Sequence, residues 1–319
     1  MGPVAIILII AGVLFLGGLA AMIAVTLPIA KKVYDVTLVR TEPDKWGRVC
    51  SAPENAEQLS MWNDGCRWAE ENAAAMREVS VESDGLKLYG EYYDFGSDEC
   101  VIILPGRCEC LKYSYYYAAP YKRAGLNVLV IDQRAHGKSD GKYSTAGMAE
   151  GRDLAVWADL AKNQLGIKGI FLHCVCIGCA TGLTAVTSED ASGLYKGLVL
   201  DGCFTSFRET YRRHMIVDKR PLFPVLDMIM LLLYKNTGNN VLKNSPKKML
   251  PRLKLPVIFI HGKKDLYSLP EKAQMLFDKT GSTDKRIVWM KEGCHSHLRF
   301  ANTEKYDRTV EEFVADVRS

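Results

Sequence analysis

Charge is missing from the start of this chain: residues 3–30 contain no ionisable side chain. About 20 apolar residues suffice to cross the hydrocarbon core of a bilayer, so this run is expected to be a transmembrane anchor, with its boundary near residues 1–33. A basic segment before the run is also lacking, and the run is longer than the apolar centre of a cleaved signal peptide, which makes that alternative the weaker reading. The only basic pair beside the span, Lys31 and Lys32, follows it, so the positive-inside rule places the rest of the chain in the cytosol.

An excess of one sign of charge is lacking too. Lys and Arg total 41 against 37 Asp and Glu, a net of +4, and no long like-charged run occurs. That balance excludes a polyanion-binding surface, and no nucleic acid partner is expected. Paired CxxC motifs are absent as well. The ten cysteines are loosely spaced, unlike a compact secreted disulfide framework, which fits a reducing compartment. Internal repeats and low-complexity segments are likewise missing.

Roughly 280 residues follow the apolar leader, enough for one α/β domain with an insertion. Residues 34–77 form a polar lead-in whose 53–76 part has helix-forming composition. From residue 78 to 319 the pattern is that of one domain. Two β-type runs, 78–82 and 86–93, flank the turn signal Ser83-Asp84-Gly85 and predict an antiparallel hairpin. Continuous apolar runs follow at 101–104, 127–131, 169–172, 197–200, 257–260 and 286–290, separated by helical segments. Such runs indicate strands covered on both faces, and the intervening helices make them parallel. The expected fold is α/β, a mostly parallel sheet with helices on both faces and its ligand site at the strand carboxyl ends. About fifty residues separate Asp201 from residue 257, too many for a plain crossover. Residues 204–250, rich in Leu and Met at 222–234, read as a helical cap that would receive an acyl or alkyl chain, or alternatively as an ordinary crossover helix.

Chemistry concentrates at three strand ends. After the run 169–172 the chain reads His173-Cys174-Val175-Cys176-Ile177-Gly178-Cys179-Ala180. This fits a nucleophile elbow, G-x-S-x-G, in which a sharp strand-to-helix turn exposes the central residue and needs small neighbours. Cys176 takes the central place, and Cys174 replaces the first glycine. After 257–260 comes His261-Gly262-Lys263-Lys264-Asp265, and after 286–290 comes Gly293-Cys294-His295. Nucleophile, acid and histidine thus follow strands in the order Cys, Asp, His. His297 is the weaker base candidate, His136 reads as structural, and His173 as a core or near-site residue.

These motifs resemble the α/β-hydrolase superfamily, close to its bacterial membrane-anchored esterase-like and S33 peptidase-like members, over residues 79 to 319. The resemblance extends to Leu104-Pro105-Gly106-Arg107, similar to the family's HG oxyanion loop. It also includes Asp132-Gln133-Arg134-Ala135-His136-Gly137-Lys138-Ser139, similar to D-x-R-G-H-G-x-S, together with Gly147, Glu150 and the closing segment from His295 to Tyr306. Pro105 stands where the family usually has His, and Cys176 where it has Ser. The resemblance implies Cys176 as nucleophile, His295 as general base and acid, and Asp265 as the group orienting His295. It implies an oxyanion hole from the amides of Ile177 and of Arg107 or Cys108, with the Arg107 side chain available to a substrate carboxylate or phosphate. No cofactor or metal is expected.

A histidine partner and a helix N-terminus both favour thiolate over thiol. Expected substrates are therefore small acyl compounds, lipid-like ones included, with thioesters, lactones and activated esters ahead of peptides. The acyl-enzyme would be a thioester, so an acyltransferase is the alternative to a hydrolase. A second alternative is a catalytically silent thiol or metal sensor, suggested by Cys108, Cys110, Cys174, Cys176, Cys179 and Cys294 on the same strand-end loops.

Overall fold

The computed structural model describes residues 2–189, 191 and 193–319. Each apolar run seeds a strand: β1 (Met76–Ser83), β2 (Leu86–Tyr93), β3 (Glu99–Leu104), β4 (Asn127–Ile131), β5 (Gly169–Val175), β6 (Tyr195–Asp201), β7 (Val257–Gly262) and β8 (Lys285–Met290). They form one sheet in the order β1-β2-β4-β3-β5-β6-β7-β8. β1 and β2 pair antiparallel, as do β2 and β4, and β3 to β8 are parallel. The hairpin closes through Asp84 (φ 51°) and Gly85 (φ 73°). Two consecutive left-handed residues match the twist of the strands, and an Asp-Gly pair adopts them at low cost. β3 to β6 carry almost wholly buried runs, and Trp157, Phe171 and Phe259 fill the two faces.

The chain reverses its direction of growth at β3, which has β4 on one side and β5 on the other. Such a switch point opens a crevice at the strand carboxyl ends. The loops after β3 and β5 meet there.

Most strands extend one to three residues beyond the apolar runs, and the N-terminal elements differ from the sequence reading in three places. The N-terminal helix does not stop at residue 33 but runs from Pro3 to Leu38. The basic pair is helix-compatible, and Tyr34 and Leu38 extend a buried stripe beyond it. β1 starts at Met76 rather than residue 78, because Met76 and Arg77 pair with Tyr93 and Tyr92 although their own side chains are exposed. The lead-in contributes one helix, Ala56–Glu71, capped by the Asn55 side chain.

The long connection after β6 holds the helices Phe207–Val217, Val225–Thr237 and Pro246–Met249. Val225, Leu226, Ile229 and Leu233 do not cover the sheet. They form a separate apolar cluster with Ala30, Tyr34 and Leu38 of the N-terminal helix and with Ile177 and Ala180 beside the elbow. The connection is thus a cap, and the end of the N-terminal helix is packed into it. That helix is long and apolar enough to cross a membrane.

Candidate active site

Cys176 lies between β5 and the helix Ile177–Val186, with φ 52° and ψ −112°. Few side chains other than glycine occupy that region, and such strain persists only where surroundings enforce it. Here the Cys176 amide donates to the Asp201 carbonyl at 2.9 Å, tying the turn to β6. A Cβ on Gly178 would lie 2.6 Å from the Leu104 carbonyl oxygen, so the elbow needs glycine there. Cys174 fits in place of the first glycine because Gly182 yields the space: a Cβ on Gly182 would sit 2.5 Å from the Cys174 sulfur.

His295, on the loop after β8, donates from Nδ1 to Asp265 Oδ2 at 2.7 Å. The other carboxylate oxygen accepts from the amides of Tyr267 and Ser268, both at 2.8 Å. The histidine loop is pinned by Tyr117, whose hydroxyl donates to the Ser296 carbonyl at 3.1 Å. Gly202 (φ 66°) lets the imidazole lie against the backbone, for a Cβ would come 3.0 Å from its Cε1. The remaining nitrogen, Nε2, is buried with no nitrogen or oxygen partner among the described residues, and besides Asp265 the polar group acting on this ring is the Cys176 sulfur. Burial opposes charge on this ring, but the Cys176 sulfur and Asp265 outweigh it and raise its pKa well above that of an ordinary imidazole. Burial likewise pushes the Asp265 carboxyl up, and His295, with His261 and the Ser268 amide, reverses this to a value below the ordinary one.

The oxyanion side is equally local. Ile177 is the first residue of its helix, where the amide lacks an intrahelical acceptor. In the loop after β3, Gly106 is not available, because its amide donates to Glu109 Oε2 at 2.6 Å. Arg107 and Cys108 follow, Cys108 turning the loop at φ 68°. Arg107 forms no ion pair among the described residues, and its Nη1 lies 3.6 Å from Cys108 Sγ. Cys108 Sγ in turn lies 3.9 Å from the Thr37 carbonyl, so the N-terminal helix ends against the loop after β3.

Several near-site residues carry no motif in the sequence. Tyr211 and His214 come from the cap. The Tyr211 hydroxyl bonds Thr37, and His214 stacks on Tyr267 at 4.2 Å, which itself stands edge-on to His295. Burial, reinforced by Arg107, lowers the His214 pKa to about 3, so it is a neutral wall. Below the site, Asp201 accepts from Tyr306 at 2.6 Å, and burial raises its pKa to about 7. Burial also raises Glu109 to about 7. His173 is enclosed by Tyr121 at 2.8 Å and Tyr306 at 3.2 Å, and His136 stacks on Trp46. Both are buried.

The six thiols differ in exposure. Cys110, Cys174 and Cys179 are fully buried and Cys294 is exposed. Among the described residues, Glu57, Cys294 and His297 hold potential ligand atoms within 4.8 Å of one another. They sit at the surface, where the His297 ring contacts Glu57 at 2.7 Å and Gln58 at 3.0 Å, away from the triad. A groove of about 840 Å³ lined by Arg40, Glu78, Tyr89 and Lys138 contains no triad residue.

A strained elbow after β5, an acid after β7 and a histidine after β8 define an architecture. The chain has the α/β-hydrolase fold. Solved structures sharing it include an esterase of Pyrococcus furiosus, Pf2001 (24% identity, TM-score 0.64, 78% of this chain and 93% of that one). Others are an esterase of Exiguobacterium antarcticum (19%, TM-score 0.55, 76% and 99%) and an alpha-beta hydrolase of Vibrio vulnificus (17%, TM-score 0.60, 89% and 93%). In sequence, the chain is 28% identical to the uncharacterized protein YqkD of Bacillus subtilis over 221 residues, 67% of this chain and 70% of that one. No family model matches.

Proposed function

We propose that this α/β-hydrolase-fold chain is an acyl hydrolase, of the esterase or thioesterase type, working through Cys176, His295 and Asp265. One observation carries the reading: the His295–Asp265 hydrogen bond of 2.7 Å leaves the buried Nε2 free to interact with the Cys176 sulfur. His295 holds the proton of Cys176, and the sulfur attacks the acyl carbon. The amides of Ile177 and of Arg107 or Cys108 receive the charge that develops on the carbonyl oxygen. His295 then protonates the leaving oxygen or sulfur, giving a thioester on Cys176. A water deprotonated by His295 attacks that thioester, and collapse returns the sulfur and the protonated imidazole. Asp265 keeps Nδ1 protonated and stabilises the imidazolium throughout. The apolar N-terminal helix is a single-pass anchor, with Lys31 and Lys32 marking the cytosolic side.

The test is turnover of short and long acyl esters and thioesters by the parent, Cys176→Ala and Cys176→Ser, with iodoacetamide as inactivator. Loss of activity on alkylation and in Cys176→Ala is expected. Full turnover by Cys176→Ala would refute the assignment.

A further inference from the structure

Up to residue 30 the N-terminal helix carries no charge on any face, but protein covers only one stripe of it. From Met22 onward, Thr26, Ala30, Tyr34 and Leu38 are shielded at helical spacing. Val25 and Leu27 between them remain 66% and 43% exposed. The stripe rests on the cap helix Val225–Thr237. Thr26 Oγ1 lies 3.5 Å from Met228 Sδ, and eight residues on in each helix Asn236 faces the Tyr34 hydroxyl. The two helices therefore run side by side in the same direction. Counting back along both, Val225, the first residue of the cap helix, stands level with Ile23, and Phe223 precedes it by two residues.

Residues 3–21 run free of the domain. At about 1.5 Å per residue they span about 28 Å, close to the thickness of a hydrocarbon core. The surface of that core then falls at the level of Phe223. What the cap presents there suits it. Phe223 is 76% exposed, Ile216 and Val217 are both 37% exposed, and between them lie Lys219 and an Arg220 paired with Asp218 at 3.2 Å. Apolar side chains on a loop of net positive charge fit the boundary between acyl chains and head groups. The helix Phe207–Val217 that ends at this tip also carries Tyr211 and His214 over the site.

We infer that the cap loop, residues 216–223, inserts into the bilayer surface beside the N-terminal helix. The site under the cap is then fed from the membrane, and its acyl donor is a bilayer-resident amphiphile. This rests on the reading of the N-terminal helix as a span and of Cys176 as nucleophile, but insertion itself is measurable without catalysis.

The full chain is reconstituted into phosphatidylcholine vesicles containing a minority of phosphatidylglycerol, with or without lipids brominated on the acyl chain. Flotation reports on the anchor. Phe223→Trp is expected to add emission that the brominated lipids quench. Lys168→Trp, at the opposite end of β5, is expected to add emission they do not quench. Phe223→Asp is expected to lower turnover of a vesicle-borne long-chain ester about tenfold, the order expected from losing one buried aromatic contact, and to leave a soluble short ester unaffected. If the chain floats but the emission added by Phe223→Trp is quenched no more than that added by Lys168→Trp, the insertion alone is overturned. A chain that does not float overturns the anchor and the insertion together. If the parent turns over no ester, the catalytic reading fails while quenching still decides insertion.

Discussion

Cys176, Asp265 and His295 stand on strand ends where backbone hydrogen bonds and absent side chains fix each position, whereas the cap above them is held by apolar packing against a helix entering from the N-terminus. The floor relies on contacts such as Gly178 against the Leu104 carbonyl and Gly202 against His295. The roof relies on Tyr34, Leu38, Ile229 and Leu233, which lock shape but not chemistry. The division matches the demands of the proposed reaction. A nucleophile, its base and an oxyanion hole need fixed geometry, while substrate entry needs a part that opens at lower cost.

Damage should be most severe in the floor. His295→Ala should cut turnover about a thousandfold or more with little change in the denaturant midpoint, measured as kcat/KM beside urea unfolding. Next comes the roof: Tyr34→Ala should cost about 3 kcal/mol of local packing. Hydrogen exchange should then show lost protection in Val225–Thr237 while β5 and β6 stay protected; equal loss in both would deny that roof and floor are separable. Gly178→Ala should cost about 1–3 kcal/mol and reduce turnover further than that stability loss explains.

A subtler effect lies under the floor. Burial raises the Asp201 pKa from 3.8 to about 7, so the folded state holds a proton that the unfolded chain releases. Its contribution is present at low pH and is lost as pH rises from about 4 through about 7. In Asp201→Asn, urea unfolding should lose part of that downward slope; an unchanged slope would mean the group is not buried in solution. Smallest of all, His297→Ala should alter turnover less than about twofold, since its partly exposed pair with Glu57 belongs to a class worth about 0–1 kcal/mol. A large loss would implicate the wrong histidine.

What was legible in the sequence follows the same division. Strands covered on both faces leave continuous apolar runs, so β4 was readable to its ends, and Cys176, Asp265 and His295 stood out because each directly follows such a run or its turn. The compensation of Cys174 by Gly182 was not readable, because it is a contact across one turn of helix with no motif of its own. The docking of the N-terminal helix was hidden for a different reason. Where every residue is apolar no stripe can be told from its surroundings, so Met22, Thr26 and Ala30 could not announce a protein-facing side. The six cysteines that crowd along the sequence differ in exposure, Cys174 lying inward and Cys294 outward, and no motif in the sequence announces which face each takes.

The proposed chemistry turns on a covalent acyl group at Cys176. An activated ester mixed rapidly with the parent and quenched in acid should give a protein heavier by one acyl group. Peptide mapping should place it on Cys176, and neutral hydroxylamine should release it as expected of a thioester. An acyl group mapped to another residue, or the same adduct and turnover in Cys176→Ala, would contradict it.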